Sequence, residues 1–370
     1  MQDTNLLAVM GLSPAIITEI IYALCVAHPK RNHRLGEARI ITTMFELEER
    51  KEHIRRALHH MASDYPDAAI PRFEQLSFYV ATGADGAPLA DINTPSGATA
   101  MADLLLDHVR DLTQAGRPPL HASLAGGRKT MSYHMGMAMN LLGRAEDRLS
   151  HVLVSLNAER CRTFYYPTPT PRPMTLPRDL GSFDAHQETI QLHEIPFVRL
   201  RGLLREPPSP NTSLSELIAL TQRAITPVQL VLDLRPGEPA DDRIHLDDRP
   251  LKLPPFEAAL YALFIEAVHA DEAPLDLTNL RYQNQPLRER FQDLYVERFD
   301  DLQAQAAFFE ADHDDSERLY VAVSKIKKAV LAHLKESHSE AVALQYVVTS
   351  LKRNAGHTIP IDPAHITILT

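Results

Sequence analysis

The sequence predicts an α/β fold, with a mostly parallel sheet in the first half and a smaller second domain after it. Two observations carry this. Apolar runs of strand length alternate with helix-length periodic segments up to about residue 156, and proline-rich breaks then end the pattern. The strand candidates are LLAVM (6–10), ARIITT (38–43), LSFYV (76–80), LHASLA (120–125) and HVLVSL (151–156). Helical periodicity fills the gaps near 14–27, 46–62, 98–114 and 130–142. Such alternation forces right-handed crossovers and a sheet covered on both faces, a Rossmann-like architecture.

YYPTPTPRPMTLP (165–177) and REPPSP (205–210) cannot continue a sheet or a helix, and HEIPFVRLRGLL between them closes the first domain. The sequence therefore divides into a first domain over 1–204, a connector over 205–224 and a second domain over 225–370.

Composition narrows the function classes. The 370 residues carry a net charge of −10, which argues against a wholesale nucleic-acid coat but leaves room for one small anion in one basic pocket. Only two cysteines occur, Cys25 and Cys161, so the chain suits a reducing compartment and holds no Cys-based zinc cluster. No leader pattern opens the sequence and no run of 18 apolar residues interrupts it, which predicts a cytoplasmic protein with no membrane partner.

Two places in the first half share one design. In LLAVMGLSPAIITEIIYAL a strand ends at Gly11, Ser13 is placed to cap a helix, and Pro14 takes the first helical position. In LHASLAGGRKTMSYHMG a strand ends at Gly126-Gly127 and the next helix starts near Thr130. If the strands take the order 3-2-1-4-5, the first and fourth are neighbours where the winding reverses, and both turns face the crevice in which open α/β sheets bind ligands. One turn supplies the Ser13 hydroxyl and the other the Lys129 ammonium, with Arg128 beside it, a pairing that suits a phosphodiester. Each turn also has a plainer reading: a tight glycine turn, an N-cap serine, a solvated lysine. Neither matches a dinucleotide fingerprint or a phosphate loop.

The combination of LLAVMGLSPAIITEIIYAL, SLAGGRKTM and GRAEDRLSHVLV resembles the CARF-domain proteins of type III CRISPR systems, in particular the ring nuclease branch. The resemblance covers roughly residues 5–204, and AGGRKTM together with GLSP…TE is its most specific part. It implies a homodimer that binds cyclic oligoadenylate across the dimer axis and cuts it, with Ser13 and Lys129 at the scissile phosphate. Gly11, Pro14, Gly126, Gly127, Arg128 and Thr130 would line the ring site, and Asn93 and Thr94 follow from a further family-like segment, DINTPSGATAMAD (91–103). The resemblance favours cyclic tetra-adenylate, whose symmetry a two-fold dimer matches, and a six-membered ring also has a two-fold axis.

The chemistry implied needs no cofactor and no metal. RNA carries its own nucleophile, and attack of the ribose 2′-hydroxyl on the neighbouring phosphorus gives a linear product ending in a 2′,3′-cyclic phosphate. The protein positions the sugar and stabilises charge on the phosphoryl oxygens. None of the 18 histidines falls in a metal-ligand spacing such as H-E-x-x-H, and the acidic stretch EADHDDSE (310–317) reads as a solvated loop.

The second half resembles a winged helix-turn-helix by pattern: a β-hairpin and short strand, a Pro-capped amphipathic helix, a recognition-like helix over 320–335 and a wing over 346–361. Val323, Ile326, Val330 and Leu334 follow helical spacing and should face the core. That leaves Lys325, Lys327, Lys328 and Lys335 outward, where with Lys352 and Arg353 they could meet DNA phosphates. The acidic net charge favours a dimerisation or lid role over DNA binding. R-x(4–6)-H matches of the HEPN ribonuclease type (Arg55 to His60, Arg128 to His134, Arg144 to His151) all lie in the first half, so a HEPN effector is rejected. The competing function is a ligand-gated transcription regulator that senses the ring without cutting it.

Overall fold

The structure is a computed structural model that describes residues 2–27, 33–203, 209–276, 285–299, 316–351 and 356–370. In the first half, strands β1 (Gln2–Val9), β2 (His33–Thr42), β3 (Leu76–Val80), β4 (Leu120–Ser123) and β5 (Arg148–Leu153) alternate with helices. The helices are α1 (Ala15–Cys25), α2 (Leu47–Asp64), α3 (Pro95–Leu112), α4 (Lys129–Leu142) and α5 (Leu156–Arg160). A small antiparallel pair, β6 (Pro173–Thr175) and β7 (Ser182–Asp184), precedes β8 (Gln191–Glu194).

The sheet runs β3-β2-β1-β4-β5-β8. Its first five strands are parallel, and β8 closes one edge antiparallel to β5. The expected 3-2-1-4-5 order is therefore present. Residues Leu6 to Met10 are completely buried, as an uninterrupted apolar run requires when helices cover both faces. Helix α1 packs with α2, and α3 with α4. The winding reverses between β1 and β4, so the turns that leave these two strands set off toward opposite faces.

By its internal contacts the chain divides into two units, Met1–Gly202 with Pro208–Ile218, and Leu203–Pro207 with Ala219–Thr370. Helix α6 (Leu214–Ile225) carries the chain across this division, within the stretch read from the sequence as a connector. It begins at Ser213, whose N–H and hydroxyl both donate to Glu216.

The second unit contains β9 (Leu230–Asp233), β10 (Ile244–Leu246), β11 (Arg249–Pro250), α7 (Pro255–His269), α8 (Gln285–Asp293) and α9 (Ser316–Leu334). The short pair β12 (Thr349–Ser350) and β13 (His357–Thr358) follows, then β14 (Ile366–Leu369). Its sheet runs β11-β10-β9-β14, with β14 parallel to β9.

One expectation is corrected here. Helix α7 is not amphipathic: Phe256 to Ile265 are all buried, because this helix lies at the centre of the unit's core. Lys325 is exposed on α9 as expected, and its Nζ also pairs at 2.7 Å with the buried carboxylate of Glu257 on α7. Along α9, Ile326, Val330 and Leu334 are fully buried and Val323 half-buried, while Lys327, Lys328 and Lys335 are exposed. Lys352, Arg353 and residues 310–315 of the acidic stretch lie outside the described residues. Among the described residues, no helix is long and apolar enough to cross a membrane.

Candidate functional site

The turns after β1 and β4 touch through their backbones. A Cβ built on Gly11 would stand 2.8 Å from the Gly127 nitrogen, and one on Gly126 would stand 2.9 Å from the Val9 carbonyl oxygen. Gly126 and Gly127 have φ of +108° and +73°, values that side-chain-bearing residues rarely adopt. Glycine is needed here for both reasons, close approach and left-handed backbone.

The turns present their polar groups outward. Ser13 is exposed, and its hydroxyl makes no hydrogen bond to another described residue, so the expected N-cap is not formed. The physical reason is local. Pro14 already has helical dihedrals (φ −73°, ψ −19°) and its carbonyl accepts from the Ile17 N–H at 3.2 Å, so the backbone alone closes the first turn of α1. In the second turn, Lys129 opens α4 with Thr130 behind it, both exposed and without a hydrogen-bonded partner among the described residues.

Arg128 is engaged. Its Nε donates to Asp91 Oδ1 at 2.7 Å and its Nη2 to Oδ2, which ties the β4–α4 turn to the loop ahead of α3. The guanidinium holds the Asp91 carboxyl below the usual carboxylate range. On the same loop Asn93 is exposed, and Thr94 caps α3 by accepting the Gly97 N–H at 3.1 Å.

Beneath the first turn lies Arg50, buried on the inner face of α2. It donates to the carbonyls of Gly11 (2.6 Å), Thr43 (2.7 Å) and Phe45, and to Thr42 Oγ1 (2.8 Å). One side chain thereby fixes the β1–α1 turn to the approach of α2, where Glu46 has a left-handed φ of +49°. Beside this brace opens a cleft of about 720 Å³, lined by Ser13, Glu19, His53, Ala125, His151 and Glu159 among others. Burial and the neighbouring Glu159 push the Glu19 carboxyl up to about 7. Burial, with His193 across the strand pair, pulls the His151 imidazole down.

The family model described as CRISPR-associated protein NE0113 matches residues 13–223, more than half of the chain. The chain belongs to this CRISPR-associated family. No curated protein matches it.

The matched span of this NE0113-family chain contains every ring-site candidate except Gly11. Three residues with clear roles in the geometry were not singled out from the sequence, and two left a signal there. Arg50 falls on the apolar stripe Leu47, Ile54, Leu58, Met61 of α2, and Glu19 is the sole charge in AIITEIIYALC. A charge on an apolar stripe has to be satisfied by something the fold brings to it. Asp91 left no such signal, because its pairing with Arg128 depends on how two loops meet in space.

Proposed function

We propose that this NE0113-family protein is a CARF-type ring nuclease, a Rossmann-like homodimer that binds cyclic oligoadenylate, with cyclic tetra-adenylate favoured, and cuts it to switch off antiviral signalling. The observation that carries the reading is the pair of turns in backbone contact at the point where the sheet's winding reverses, with an unpartnered hydroxyl on one and an unpartnered ammonium on the other.

In the proposed reaction the ribose 2′-oxygen attacks the adjacent phosphorus and loses its proton, while the P–O5′ bond breaks and the departing 5′-oxygen takes one up. The products are a 2′,3′-cyclic phosphate and a 5′-hydroxyl. Lys129 stabilises the negative charge gathering on the phosphoryl oxygens, and Ser13 orients the sugar. Gly11, Gly126 and Gly127 allow the backbone to come close, Pro14 and Thr130 complete the walls, and Asn93 and Thr94 flank them. Support for a second copy comes from exposed apolar residues gathered where the strands end, Leu12, Phe45, Tyr133, Leu153 and Leu156, Leu12 being 72% exposed. A two-fold axis there would supply one Ser13 and one Lys129 to each of two opposed phosphodiesters.

The second unit is proposed to be winged-helix-like and not a DNA reader, a view favoured by the loss of Lys325 to Glu257. The sensing regulator is the competing reading. Rings of several sizes incubated with the pure protein, with and without EDTA, test the proposal by mass spectrometry of the products. Linear products with a cyclic-phosphate end, undiminished in EDTA and slowed about 100- to 1,000-fold in Lys129→Ala under single-turnover conditions, support it. Tight binding without turnover, together with sequence-specific retention of duplex DNA, would support the regulator.

A further inference from the structure

The cleft beside the first turn has a chemistry opposite to that of the turns. The turns offer an ammonium, a hydroxyl and backbone N–H groups, whereas the cleft offers carboxyls against an apolar wall that includes Pro14, Leu153 and Val154. Of its two arginines, Arg50 has both terminal nitrogens committed to three backbone carbonyls and Thr42 Oγ1, with only its buried Nε left without a partner among the described residues, and Arg162 is exposed. Such a lining does not suit a phosphate. Among the described residues no three His, Cys, Asp or Glu side chains come together as a metal-holding group, so a divalent ion is not what the carboxyls await.

Glu19 is the decisive side chain. It is only 7% exposed, it lines the cleft, and it makes no hydrogen bond to any described residue. A buried carboxyl without a partner is costly, and native structures keep few of them without a use. We propose that Glu19 reads the Watson–Crick edge of an adenine seated in this cleft, donating to N1 and accepting from the N6 amine, while the attached phosphate lies at the two turns. Ser13 belongs to both the turn and the cleft and marks the junction of the two halves of one nucleotide. The assignment rests on the proposed function and deepens it, since it names the group that selects the base.

The physical basis is the proton. A protonated carboxyl presents a donor and an acceptor side by side, which is the complement of adenine's N1 acceptor and N6 donor; an ionised one offers acceptors alone. The charged and titratable groups around Glu19 are Glu46, Glu49, Arg50 and His53 from α2 and its approach, His151 from β5, Glu159 from α5 and Arg162. With Arg50 turned to the backbone, burial and the Glu159 charge dominate, and both favour the protonated form near neutral pH.

The test is a binding titration across pH 5.5–8.5 with 2′-fluoro rings of four and six adenosines, which lack the nucleophile and stay intact, and with matching rings of 1-deazaadenosine, which lack N1. Wild-type affinity for the adenosine ring should be flat at low pH and fall about tenfold per unit above pH 7. Glu19→Gln, whose amide keeps a donor and an acceptor, should bind with the low-pH affinity at every pH. Glu19→Leu should bind roughly 10- to 100-fold more weakly and lose the preference for adenosine over 1-deazaadenosine. A Glu19→Leu protein that keeps wild-type affinity and preference, or a pH dependence that survives in Glu19→Gln, overturns the assignment and leaves the proposed function standing. Failure of the wild-type protein to bind any ring at any pH overturns both. Should Glu19→Leu not fold, the wild-type preference between the two rings and the Glu19→Gln profile decide the matter alone.

Discussion

The turns after β1 and β4 both carry glycine and touch each other, yet they are held in different ways. The first is braced from inside by a buried guanidinium that satisfies Gly11, Thr43 and Phe45 at once. The second is braced from outside by an ion pair between Arg128 and Asp91, each about half exposed. A buried network of this kind is lost only at a cost of several kcal/mol, whereas an exposed pair contributes about 0–1 kcal/mol and yields to a competing anion. Under the proposed function the difference gives the two turns separate duties: the first would be a fixed reference against which a sugar is positioned, and the second would exchange Asp91 for a phosphate without disturbing the fold.

The sharpest way to break this arrangement is at the contact itself. Gly11→Ala places a methyl 2.8 Å from the Gly127 nitrogen, where only backbone could give way, so the turns must part. A misplacement of this size should lower single-turnover cleavage on the order of 100-fold, and Gly136→Ala on α4, where a Cβ meets nothing within 4 Å, should be silent. Next in size is the inner brace. Arg50→Met leaves three carbonyls without a donor and should cost about 3–5 kcal/mol, read as a lower urea midpoint.

Glu19 lies beside that brace and should respond with the opposite sign. Its carboxyl ionises near 4.5 when unfolded and at about 7 when folded, so the folded state holds the proton more tightly. The strain is absent below pH 4.5, grows between 4.5 and 7 and is complete above 7. Glu19→Gln should therefore stabilise the protein by roughly 3 kcal/mol at pH 8 and by nothing at pH 4, which thermal unfolding at the two pH values will show. The smallest effect belongs to the outer brace. Asp91→Ala should change stability by less than about 1 kcal/mol while raising ring affinity at low salt, because Arg128 is released to the ligand. A large loss of stability in Asp91→Ala would erase the contrast between the two turns.

What could be read from the sequence follows a physical divide. Strands buried on both faces write themselves as apolar runs, and glycines at a backbone contact stand out after them, so LLAVMG and SLAGG located the sheet centre and both turns. The roles of Ser13 and Lys325 depended on something else. A serine caps a helix only if it stands at the N-cap position, and here Pro14 occupies that position, which leaves Ser13 one residue outside the helix. A lysine on the polar side of a helix is free for a phosphate only if no carboxylate reaches it, and Glu257 comes from 68 residues away. Arg50 and Glu19 were visible as anomalies on apolar stripes, but their opposite fates, one with both terminal guanidinium nitrogens hydrogen-bonded and one without a partner among the described residues, are settled by tertiary neighbours.

The parallel pairing of β9 with β14 has a consequence for how the chain folds as it is made. Leu230 pairs with Ile366, so β9 acquires its neighbour on that side only after another 136 residues have been synthesised. At roughly 5–20 residues per second, β14 follows β9 by on the order of 10 s. In the first half β1–β2, β2–β3 and β4–β5 pair successive strands locally, and the one long wait is between β1 and β4, where Asn5 pairs with Leu120. During the interval one edge of β9 presents unpaired N–H and C=O groups beside Leu230 and Leu232, side chains that end completely buried. Until β14 arrives, that edge of β9 is a place where the growing chain can pair wrongly, whatever the stability of the finished fold.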